Sequence, residues 1–214
     1  MASTVLFVVM AVIAGILLLT ASLGATIGAA DSFASPLYNT DPSVRAAHQY
    51  LTIAAALGWS ALVTLIIILI VAAAAGGFST IEVADETLLK PVPSTQDVAA
   101  VAEAEKELSA GRTTQIVVLV VLIILAIVTF IVGVLAAIGA VDLGGLSQQD
   151  VNTQSAYTAA IVAAVAGIGG IAIMFIAVFT YVGIRSAREE ELGKIHLYDK
   201  RVAAQLRLPP PQAG

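Results

Sequence analysis

The sequence contains no cysteine. Disulfides and thiolate metal ligands are therefore unavailable, which argues against four-span families stapled by extracellular disulfides, such as tetraspanins and claudins. No Asn-x-Ser/Thr sequon marks a glycosylated loop. Charge is also scarce, at 12% of residues, and the formal net charge of −5 leaves no basic footprint for nucleic acid. Neither a nucleophile elbow nor a phosphate-cradling glycine loop is present, so no motif announces a reaction.

The remaining composition is apolar, and its distribution is informative. Residues 1–30, 49–81, 113–141 and 151–184 hold no Asp, Glu, Lys, Arg, His or Pro. Each run exceeds the roughly 20 apolar residues that carry a helix across a bilayer of about 30 Å. Hydrocarbon offers backbone groups no partner, so these runs must satisfy their own hydrogen bonds. Runs such as Ile116 to Val128 do not alternate, which disfavours a β-barrel. The expected fold is all-α: a polytopic membrane protein with four transmembrane helices in a compact bundle. The spans are expected at about 5–27, 51–75, 116–141 and 156–184. Residues 1–184 form the bundle unit with its connection 77–114, and 185–214 form a tail. The first run has no basic n-region, and its apolar stretch from Val5 to Ile27 exceeds a signal-peptide core, so it is expected to stay as a span.

Basic residues predict orientation. Lys90, Lys106, Arg112, Arg185, Arg188, Lys194, Lys200, Arg201 and Arg207 fall on the side of the termini and the long connection, and Arg45 stands alone on the other. The positive-inside rule then puts both termini and the connection in the cytoplasm.

The connection is expected to form a helical hairpin. Ser79-Thr80-Ile81-Glu82 fits a capping box before one helix, which Pro91 would stop. Ser94 or Thr95 would cap a second helix carrying Val98, Val101 and Leu108, with Gly111 as its end. In the tail, Leu192, Ile195, Tyr198, Val202 and Leu206 recur at helical spacing, on a helix running on from the fourth span until Pro209-Pro210-Pro211. This apolar stripe suits docking to a partner protein or a self-contact against the hairpin.

Small residues supply the expected packing faces. Gly24 and Gly28 form Gly-xxx-Gly, Gly133 and Ala137 a related pair, and Ala163 with Gly167 and Ala166 with Gly170 two more. Helices in lipid gain nothing from burying apolar surface on each other, so close backbone approach and dispersion must hold them. A weak internal echo joins the halves: Ile27 to Asp31 matches Ile138 to Asp142, and Asn39-Thr40 matches Asn152-Thr153. Tyr50 and Tyr157, with Phe78 and Tyr181 at the other boundary, fit aromatic belts.

No catalytic residue, cofactor site or metal site is expected. His48 and His196 fall on opposite sides of the membrane and cannot share a metal within one chain. Spans without ionisable groups are poor material for a pump or coupled transporter. The hydroxyls of Thr20, Ser22, Thr26, Thr52, Ser60 and Thr64 are expected to bond back to their own helix carbonyls or across to a neighbouring helix.

The expected function is that of a non-enzymatic structural or scaffold protein. It would anchor a larger assembly through its cytoplasmic hairpin and tail, with the bilayer and other membrane-associated proteins as partners. In plan, though on no residue motif, the chain resembles small multi-span membrane proteins of large icosahedral viruses. That resemblance implies a virion internal membrane whose cytoplasmic face lies beneath the capsid. The alternative is a channel or small transporter built by homo-oligomerisation, with hydroxyl-bearing faces lining the path.

Overall fold

A computed structural model describes residues 2–74, 95–109 and 112–207, with side chains described for 3–74, 98–106, 108–109 and 112–202. Among these residues there are five α-helices and no strand: α1 Ala2–Ala34, α2 Pro42–Ala74, α3 Thr95–Ser109, α4 Arg112–Gly144 and α5 Val151–Arg207. All but α3 are long and apolar enough to cross a membrane, consistent with an integral membrane protein. The expected first helix of the connection, with its Ser79 to Glu82 capping box, and the Pro-rich end lie outside the described residues.

α4 shows why solvent decides the local structure. Ile116 to Val134 is dense in β-branched residues, which favour strands on a half-buried pleated surface. In hydrocarbon, only a helix bonds every amide within its own segment. The helices outrun their charge-free cores. α1, α2 and α4 each have 33 residues, about 50 Å at 1.5 Å per residue, against about 30 Å of hydrocarbon. They therefore tilt or project beyond it.

Capping chemistry sets their ends. α1 stops at Ala34 because Pro36 forces Ser35 into an extended conformation, φ −66° and ψ 137°. A 3-10 turn, Pro36–Asn39, follows. Asp41 then caps α2, its Oδ1 accepting from Ser43 N at 2.8 Å, with Pro42 at the first helical position where a missing N–H costs nothing. These caps shorten the first connection to residues 35–41, well below the 28–50 left between the expected spans.

α1 packs against α2 and α5, and α4 against the same two helices. Between them lie two layers. Toward the short connections, at residues 35–41 and 145–150, the layer is built from α1 21–29, α2 44–54, α4 132–143 and α5 156–166, and twelve of its sixteen buried residues are alanine. Toward the other end it holds Phe7, Leu18, Leu65, Leu122, Met174 and Tyr181. A third, separate cluster joins α3 to the far part of α5.

Candidate docking and packing sites

The packing glycines bring backbones together. A Cβ on Gly167 would lie 2.6 Å from Gly133 Cα, and one on Gly133 2.8 Å from Ile168 N, so α4 and α5 touch main chain to main chain. A Cβ on Gly24 would lie 2.9 Å from Ala159 O, beside the buried Ala163. Gly28 faces Leu51 and Ala156, while Gly170 faces Thr129 and Leu17. Ala166 is buried in the alanine-rich layer. Ala137 is only partly buried and lines an open apolar groove of about 320 Å³ with Ala140, Val141, Tyr157, Ile161 and Val165.

Two further close approaches lie outside the small-residue pairs named above. Gly58 lies directly over Ser22, and Gly139 over Leu51, with Leu51 Cγ 3.1 Å from where a Cβ would stand. The internal echo extends to this contact, since Gly28 and Gly139 press on Leu51 from two helices. It stops at the Asn-Thr pairs. Asn152 Nδ2 donates to Ala34 O at 3.0 Å and ties down the end of α1, whereas Asn39 closes the 3-10 turn.

The six Ser and Thr hydroxyls singled out in α1 and α2 bond back to their own helices. Thr20, Ser22, Thr26, Thr52, Ser60 and Thr64 each donate to the carbonyl four residues earlier, at 2.7–2.9 Å. Thr26 also accepts from Trp59 Nε1 at 3.1 Å. Ser22 is buried, while Thr26, Thr52, Ser60 and Thr64 face outward. Tyr181 is not at a lipid-facing belt. It is 1% exposed, with its ring centroid 5.2 Å from that of Phe7, and its hydroxyl has no hydrogen-bond partner among the described residues. Phe78 lies outside the described residues.

Sequence reasoning missed a polar network at the short connections. Asp150 caps α5, with Oδ1 accepting from Thr153 N at 3.0 Å, while Oδ2 accepts from the Thr153 hydroxyl and from Ser35 Oγ at 3.0 Å. Burial alone would push the Asp150 carboxyl up, but the Thr153 hydroxyl, the Thr153 amide, the Ser35 hydroxyl and the Asn152 amide together hold it below the usual carboxylate range. Ser155 donates to Asp31 beside it. His48 Nδ1 lies 2.9 Å from Ala29 O, and because a carbonyl only accepts, that nitrogen carries the proton. The signal was present in Asp150 three residues ahead of Thr153, a capping spacing. What the sequence does not carry is that Ser35, 115 positions away, shares the carboxylate.

The tail stripe is covered from within the chain. Leu192, Ile195 and Tyr198 are buried with Val101, Ala104 and Leu108 of α3, and Val202 packs at the margin. The side chain of Leu206 lies outside the described residues. Arg188 is 7% exposed, and its Nε donates to Leu108 O at 2.9 Å, at the end of α3. His196 Nε2 lies 3.5 Å from Glu105 Oε1. Along α5, Arg185 pairs with Glu189 at 2.8 Å and Lys194 with Glu191 at 2.6 Å.

No protein-family model, curated protein or solved structure matches the chain. Function must therefore be argued from these surfaces alone.

Proposed function

We propose that the chain is a non-enzymatic integral membrane scaffold. Four spans hold it in the bilayer, both termini lie in the cytoplasm, and the face made by α3 and the α5 extension ties it to a larger assembly. One observation carries this reading. Beyond Ile184 the apolar character of α5 gives way to a charged helix that continues to Arg207 and has α3 packed on it, while the expected spans contain no Asp, Glu, Lys, Arg or His. Chemistry and coupled ion movement need such groups inside the bilayer, whereas a protruding charged helix suits protein contact. A virion internal membrane beneath a capsid is one specific form of this function.

Deletion of Gly193 to Gly214 tests it. The spans are expected to insert as before while recovery with the native assembly is lost. Unchanged co-assembly would remove the tail from the proposal. The outward hydroxyls of Thr26, Ser60 and Thr64 favour one second reading, a channel formed between copies. Liposome conductance sensitive to Thr64→Val would establish it over the scaffold.

A further inference from the structure

We propose that α3 is an intramolecular cover. It occupies a helix-docking face on the α5 extension, and a partner presenting an acidic amphipathic helix gains that face by displacing α3. This inference rests on the scaffold reading for its biological use but not for its geometry.

The face is defined by what sits on it. Leu192, Ile195 and Tyr198 follow one another at helical spacing and make one stripe on α5. α3 meets them with Val101, Ala104 and Leu108, spaced by three and four residues, so helix lies on helix. Polar contacts at the edges orient the occupant. Arg188 donates to the Leu108 carbonyl, which has no partner further along its own helix, and a carbonyl of this kind marks the C-terminal end of any helix docked in this sense. His196 meets Glu105, so an acidic residue is accommodated midway along the occupant. α3 carries Asp97, Glu103, Glu105 and Glu107 against a single Lys106, whereas α5 from Arg185 to Arg201 mixes Arg185, Arg188, Lys194, Lys200 and Arg201 with Glu189, Glu190, Glu191 and Asp199, so the acidic preference rests on the Glu105 to His196 contact and on the acidity of α3 itself.

The cover is small. Its apolar surface is about two turns carrying Val101, Ala104 and Leu108, and its Glu105 to His196 contact is solvent-exposed, where such pairs contribute little. An occupant with larger apolar residues at the same spacing competes on favourable terms. While α3 is in place, a partner's apparent affinity is reduced by the fraction of molecules that are open.

A fluorescein-labelled peptide of residues 95–109 is the probe, added in trans to the full chain in detergent micelles, with a scrambled peptide of the same composition as control. The Val101→Asp, Leu108→Asp double variant places carboxylates in the apolar cluster that α3 shares with Leu192, Ile195 and Tyr198, and is expected to open the cover. Fluorescence anisotropy is expected to show the peptide binding the opened variant at least about tenfold more tightly than the wild-type chain, with no such gain for the scrambled peptide. Where circular dichroism shows that the double variant has lost helix, Leu108→Ala and Arg188→Gln replace it, with a smaller gain in the same direction. Equal affinity for wild-type and opened chains, or no binding to either, overturns the cover. The two proposals separate cleanly. Peptide binding with a harmless tail deletion removes the scaffold reading alone, and absent peptide binding with a disabling deletion removes the cover alone.

Discussion

The two layers between the spans solve the same problem with opposite materials. Near the short connections, alanine and glycine let main chains touch, and Gly133 and Gly167 stand in each other's place for a side chain. Near the other end, Phe7, Leu65, Met174 and Tyr181 fill the space between helices. Since lipid is as apolar as leucine, neither layer gains from expelling water, and both depend on dispersion between well-fitted atoms. The first is intolerant of added volume and the second of lost volume. The first also carries the polar lock of Ser35, Asp150 and Thr153, while the second leaves the Tyr181 hydroxyl without a hydrogen-bond partner among the described residues.

Substitutions that reverse these materials separate the layers. Gly167→Leu is the most damaging expected change. It forces a side chain into Gly133 backbone, and overpacking at main chain that cannot yield costs about 3 kcal/mol or more. The readout is loss of folded protein in a denaturant titration in micelles. The same substitution at Gly169, where nothing lies within 4 Å, is expected to shift that titration by less than about 0.5 kcal/mol. A comparable loss at both sites would break the comparison.

In the larger-residue layer, Leu65→Ala is expected to cost about 2 kcal/mol through the cavity left behind. In the polar lock, Asp150→Ala removes a cap and leaves one of the Ser35 and Thr153 hydroxyls, which can still bond each other, short of an acceptor, a loss of about 1–2 kcal/mol.

Asp150 also predicts a pH dependence. Its folded-state affinity for protons is lowered, so the stability it confers is present above the ordinary carboxylate value of 3.8 and fades as pH falls through the lower folded value. Unfolding midpoints should therefore drop more steeply below that value in the wild type than in Asp150→Asn; parallel acid profiles would show that the lock carries no such linkage. Smallest of all, Tyr181→Phe keeps the ring on Phe7 and deletes a hydroxyl that has no hydrogen-bond partner among the described residues. It is expected to be neutral or stabilising by up to about 1 kcal/mol, and a destabilisation would reveal a partner for that hydroxyl.

The four long helices were legible because runs without charge or proline have one solution in hydrocarbon. Their ends were less so. Asp41-Pro42 and Asp150 cap outside the apolar runs, and each cap adds turns that hydropathy alone does not count. Gly24, Gly133, Gly167 and Gly170 were visible as small-residue pairs. Gly58 was not sought, although it stands four residues after Ala54 and three before Ala61, both buried on the same face. Its partner Ser22 and the Leu51 partner of Gly139 belong to other helices, and pairing across helices has no signature along the chain. The tail stripe was legible as an apolar face. Its occupant was not, because periodicity says that a face will be covered and is silent on which helix covers it.

α5 runs from Val151 to Arg207 as one helix of 57 residues, with no proline along it. At 1.5 Å per residue it is a rod of about 85 Å, of which the part beyond Ile184 reaches about 35 Å. Sharp bends in helices arise at proline, at glycine or serine pairs, or at bulges; the glycine pair in α5 is Gly169-Gly170, beside the contact with α4, and between it and Tyr198 only the isolated Gly183 and Gly193 interrupt the rod. A torque applied near Tyr198 is therefore carried along the rod to the glycine contact with α4 rather than lost in a linker. Whatever grips the far end of this helix has mechanical purchase on how the spans sit against one another.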